Sequence, residues 1–165
     1  MYLLVASFFR FWGGYSLGFL WGPFFENRYP DYTTQYGLMG FIIPTCAGLP
    51  ASIVGGYISD KFEKKYSNIK GIIAGGGALA ATPFIVIAYG WQPGFWISIM
   101  SYFVAYFLAE MWYGPSHAQI NNMFPSEFQG FAVAVFNLAG SLAGSIATLF
   151  LSYLSGRLTK GKSDF

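Results

Sequence analysis

Two ionisable side chains, Arg10 and Glu110, stand inside long apolar runs, YLLVASFFRFWGG and ISIMSYFVAYFLAEMWYG. A guanidinium or carboxylate in hydrocarbon is costly unless it meets a partner or water, so such residues mark ion, proton or substrate paths. Glu110 also belongs to a series. Tyr102, Tyr106, Glu110, Tyr113 and His117 follow spacings of four, four, three and four, which on a helix puts them on one face. Phenols, a titratable carboxylate and an imidazole are the materials of a proton relay or a polar substrate site. The competing reading is a helix interface whose polar groups satisfy one another, with His117 hydrated near the membrane surface.

The remainder of the chain says what must hold these groups. Of 165 residues, 55% are hydrophobic, 21% aromatic and 10% charged, with a mean hydropathy of +0.46, which describes an all-α polytopic membrane protein. The net charge is only +2. Its basic residues sit in one loop, the tail and isolated positions, which excludes a nucleic-acid stripe and leaves membrane lipid as the partner. Cys46 is the single cysteine, so no intrachain disulfide can form, and its apolar neighbours predict an inert, packed thiol. One His, one Cys and seven scattered acids compose no metal cluster, nucleotide loop or nucleophile triad, so no metal, no cofactor and no enzyme activity are expected.

Hydropathy places five spans at about 3–25, 35–59, 71–90, 95–118 and 130–154, followed by a short basic tail at 157–165. Each suits a hydrocarbon core of roughly 30 Å. Arg10 lies seven residues from the start of its span and Glu110 eight from the end of its own. Both are therefore roughly 10 to 12 Å deep, where a direct or water-bridged pair is reasonable. Pro44, Gly48 and Pro50 predict a kink in the second span, Pro83 bends the third, and Trp91-Gln92-Pro93-Gly94 makes a tight outer turn. Gly14, Gly18 and Gly22 recur every four residues, and Gly140 and Gly144 lie in a small-residue stripe with Asn137, Ser141, Ser145, Thr148 and Ser152. Both sets read as helix-packing surfaces.

Between the second and third spans the chain turns abruptly polar, with five charges in the six positions Asp60 to Lys65. Lys61, Lys64, Lys65 and Lys70 are four of the nine basic residues, which assigns this loop to the cytoplasmic side. Gly56 would let two helices approach closely, and Asp60 would accept from a neighbouring helix N-terminus or pair with a lysine, a latch for one conformation. Five crossings would leave the basic tail, Arg157, Lys160 and Lys162, on the outer side with Arg28. The simplest resolution is a chain lacking a sixth helix and a partner half.

The run Gly56-x-x-x-Asp60-Lys61-x-x-Lys64-Lys65 resembles the loop between the second and third helices of each half of the major facilitator superfamily, Gly-x-x-x-Asp-Arg/Lys-x-Gly-Arg/Lys-Arg/Lys. Glu63 stands where that pattern has its second glycine. Span order and loop lengths are similar to one half of such a protein, the C-terminal half from its seventh to eleventh helix. Arg10-Phe-Trp-Gly-Gly-Tyr-Ser-Leu-Gly, Glu110-Met-Trp-Tyr-Gly-Pro and Phe124-Pro-Ser-Glu-Phe-Gln-Gly-Phe-Ala look most like spinster-type members.

The resemblance implies secondary active transport of a small organic or lipid-like solute by alternating access, with proton symport a possible coupling. It places Arg10 and Glu110 on cavity-lining helices: Arg10 to attract an anionic group or neutralise Glu110, Glu110 to bind a proton or the solute. Gly56, Asp60, Lys61, Lys64 and Lys65 would form the gating loop. Spinster-like relatives are linked with lysolipid or sphingolipid movement. A two-half machine would require a second copy or another chain as partner. Two alternatives stay open: a non-transporting membrane subunit or truncated decoy, favoured by the glycine-rich packing surfaces, and a membrane-embedded lipid enzyme, which would need polar side chains gathered around His117.

Overall fold

A computed structural model describes residues 2–66, 68–91 and 93–163, and among these the chain forms helices and short turns with no strand. The α-helices are α1 (Tyr2–Arg28), α2 (Thr33–Ile43), α3 (Leu49–Glu63), α4 (Ile69–Ile85), α5 (Phe95–Glu110), α6 (Tyr113–Met123) and α7 (Ser126–Ser163). A π-helical segment, Pro44–Gly48, joins α2 to α3, and another, Val86–Trp91, prolongs α4. The first begins at Pro44 and the second follows Pro83, and a proline withdraws a backbone donor from the helical ladder and favours a local change of winding. Met111 and Trp112 keep helical dihedral angles between α5 and α6. The seven helices therefore make five rods, an all-α multi-pass membrane bundle.

Four rods are long and apolar enough to cross a membrane: Pro30–Glu63, Ile69–Trp91, Phe95–Met123 and Ser126–Arg157. The expected first span falls in α1, whose 27 residues reach about 40 Å at 1.5 Å per residue. That length is enough for a crossing, with Arg10 as the ionisable residue in its apolar run. α7 continues past the expected end of its span to Ser163, so the basic tail starts as helix. Gln92 of the outer turn, the side chains of Lys160 and Lys162, and residues 164–165 lie outside the described residues. Gly94 closes that turn with φ +146°, a backbone region that side-chain-bearing residues rarely enter.

α1 lies along α7, α4 along α5 and α3 along α6. The first contact is ring-into-glycine packing: a Cβ on Gly140 would fall 2.5 Å from the Phe11 ring, and one on Gly144 2.5 Å from Tyr15. The α1 ridge Gly14, Gly18 and Gly22 differs from expectation, because no atom lies within 4 Å of a Cβ built on any of them. Their missing side chains seat no helix. At the α3–α6 crossing the seats are Gly55, whose added Cβ would collide with the Met111 carbonyl, and Gly114, whose Cβ would strike the Ser52 carbonyl. Space at a Gly56 Cβ is open, so the close approach expected there belongs to its neighbour.

Two aromatic clusters complete the interior. Far from the charged loop, Phe25 is fully buried among Ile43, Ala88, Phe95 and Tyr102, with Tyr32 stacked on Phe95 at 4.3 Å and the Tyr29 hydroxyl 3.2 Å from Ser98 Oγ. Nearer the loop, Trp112, Ile120 and Phe136 gather around Phe11. Cys46, expected as a packed thiol, is exposed instead, because Ile43 and Ala47, four residues apart, take the buried face and leave Cys46 off it.

Candidate binding cavity

Between the two aromatic clusters lies a cavity of about 520 Å³. α1 contributes Arg10, Gly14 and Gly18; α5 contributes Tyr102, Tyr106 and Glu110; Tyr113 opens α6 at its edge. Leu17, Ile43, Pro44 and Ile85 supply apolar wall. Trp21 closes the far end, its ring 4.6 Å from that of Tyr102. Gly48 of the first π-helical segment permits the α5 approach, since a Cβ there would lie 3.1 Å from the Tyr106 ring.

The position of Arg10 follows from the end of α5. Pro115 has no N–H to serve the Met111 carbonyl, and α5 stops at Glu110, so the ladder loses its last partners. Arg10 Nη2 donates to the Ala109 carbonyl, satisfying one of them and setting a cation against the negative pole of the helix. Its guanidinium lies 5.7 Å from the Trp112 ring centroid, within cation–π range. Arg10 Nε is buried with no acceptor among the described residues. Glu110 lies within electrostatic reach of Arg10, but the ion pair among the described residues is Lys70–Glu63. Arg10 and Glu110 therefore share a cavity without a salt bridge.

Tyr102, Tyr106 and Tyr113 line the same cavity as the Glu110 carboxylate. His117 does not line the cavity. Its Nδ1 donates to the Tyr113 carbonyl at 3.0 Å, and its ring packs on Tyr113 at 4.3 Å and Phe136 at 5.3 Å. The His117 ring turns back onto Tyr113 and Phe136, so the series divides into four cavity groups and one flanking imidazole. Tyr113 also donates to Asn137 Oδ1 at 3.3 Å, linking α6 to α7. On α7 the Ser141, Ser145 and Thr148 hydroxyls donate to carbonyls four residues back, spending those donors within their own helix.

At the charged loop Asp60 is exposed and forms no hydrogen bond or ion pair among the described residues, so the expected latch is not made there. Lys61 lies over the rings of Tyr57 and Phe62 at 5.9 and 6.0 Å, and Lys65 over Tyr66 at 5.3 Å. Lys64 is exposed and ends α3. The clasp across the turn is Lys70 Nζ to Glu63 Oε1, 2.6 Å. Glu63, the departure from the family pattern, thus ties the end of α3 to the start of α4.

Sequence reasoning missed Trp112, the Ala109 carbonyl and Trp21. The dipeptide Gly114-Pro115 was the available signal, since a proline five residues after Glu110 predicts freed carbonyls beside it. A family model described as Major Facilitator Superfamily matches residues 1–148. No curated protein and no solved structure matches the chain.

Proposed function

The chain belongs to the Major Facilitator Superfamily, a family of membrane transporters, and from that premise we propose that it moves a small organic or lipid-like solute by alternating access coupled to protons. The observation that carries this reading is the joint placement of Arg10, Glu110 and three tyrosines on one cavity inside a membrane bundle. Arg10 holds an anionic group of the solute through its uncommitted donors. Glu110 takes and releases the proton, its charge felt by Arg10 when the cavity is empty and relieved when solute occupies the guanidinium. Tyr113 and the adjacent His117 extend polar groups from the cavity toward the charged loop, a route for the proton.

The motif runs at Arg10, Glu110 and Phe124 support a C-terminal half of a spinster-like member. A second half, or another copy of the chain, then covers the open side of the cavity and completes the two-sided machine. The loop from Gly56 to Lys65 responds to the change of state through its Glu63–Lys70 clasp.

The test uses the chain reconstituted in sealed vesicles with an imposed proton gradient. Glu110→Gln is expected to reduce gradient-driven uptake at least tenfold while solute-for-solute exchange persists, because exchange needs the cavity but no net proton transfer. Gradient-driven uptake equal to that of the unaltered chain would refute the coupling role.

A further inference from the structure

The cavity has two unlike sides. Gly14 and Gly18 line it on α1, and a Cβ at either would meet nothing within 4 Å. They form a strip of bare backbone, about 6 Å along the helix at 1.5 Å per residue. The α5 side carries Tyr102 and Tyr106, their ring centroids 6.0 Å apart, with Trp21 beside them. Arg10 stands at one end, one nitrogen donating to the Ala109 carbonyl and its guanidinium carbon 5.7 Å from the Trp112 ring centroid.

A side-chain-free strip and a row of rings lining one cavity form a slot suited to a flat body. Rings gain from stacked or edge contacts with Tyr and Trp beyond the area they bury. A flexible alkyl chain of similar size gains no such contact and loses rotational freedom on entry. The guanidinium at the end of the slot selects an anionic head, since its N–H groups beyond the bond to Ala109 can make charge-assisted bonds to it. We infer that the solute is a planar aromatic anion, its ring between the Gly14–Gly18 strip and Tyr102–Tyr106 and its charged group at Arg10. Gly14 and Gly18 are then specificity-determining positions. This rests on the transport reading above and names the substrate class of the same cavity.

The test compares two permanently charged probes with the same head group, 2-naphthalenesulfonate and octane-1-sulfonate, by equilibrium dialysis against the chain in lipid nanodiscs. The naphthalene probe is expected to bind at least tenfold tighter. Arg10→Gln should weaken both probes, whereas Gly18→Leu, which fills the slot, should weaken the naphthalene probe at least tenfold. Gly14→Val serves as the second slot variant, and Gly22→Leu, open and off the cavity, should bind as the unaltered chain does. Equal affinity for the two probes, or unchanged naphthalene binding in both slot variants, overturns the inference. Failure of either sulfonate to bind while Glu110-dependent uptake of other solutes persists overturns the substrate class alone. Loss of Glu110-dependent uptake with naphthalene binding intact tells against the transport reading instead.

Discussion

Gly55 and Gly56 are adjacent, chemically identical and on the same helix, yet the bundle requires them to respond oppositely to one added methyl group. At Gly55 the new Cβ runs into the Met111 carbonyl, a backbone atom that cannot swing aside, so α3 and α6 must separate. Overpacking of this kind costs about 1–3 kcal/mol, and a backbone obstacle places Gly55→Ala near the upper figure. Replacing a helical glycine by alanine returns about 1 kcal/mol of propensity. Gly55→Ala should therefore lose about 2 kcal/mol net, and Gly56→Ala, with nothing within 4 Å of its Cβ, should gain about 1 kcal/mol. The gap between neighbours is about 3 kcal/mol. Reversible unfolding in mixed micelles, followed by the fluorescence of the five tryptophans, measures both. Equal destabilisation by the two variants, or a larger loss at Gly56, would refute the assignment of the α3–α6 contact to Gly55.

The ring-into-glycine seats predict a compensating pair: Gly144→Ala should cost about 1–3 kcal/mol through the Tyr15 ring. In a Tyr15→Ala background the same change should cost nearly nothing, and a double-mutant cycle that shows strict additivity would remove the contact. Across the charged turn, Glu63→Gln should lower stability by no more than about 1 kcal/mol, because this pair is partly solvated. Raising salt should shrink that difference, and a salt-independent loss would assign Glu63 a role other than pairing with Lys70.

Much of the architecture was legible because hydropathy and charge act locally. The apolar runs and the cluster from Asp60 to Lys65 determine where rods end, and Pro44 and Pro83 announce where the winding changes. Small-residue spacing carries less information. It marks Gly14 and Gly140 alike, but only the tertiary partner decides that Gly140 receives Phe11 while Gly14 faces empty space. The face shared by Tyr102, Tyr106 and Glu110 was readable from a period that assumes an uninterrupted helix. His117 left it because its Nδ1 donates to the Tyr113 carbonyl and its ring packs on Tyr113 and Phe136. Arg10 was legible as a costly group needing a partner, whereas its actual acceptor, a main-chain carbonyl, carries no residue signature.

The end of α5 offers three carbonyls in three directions. Leu108 presses toward Gly77 on α4, Ala109 accepts from Arg10 on α1, and Met111, just beyond, abuts Gly55 on α3. Such an end has no slack of its own. A displacement of that end is therefore shared by α1, α3 and α4 together.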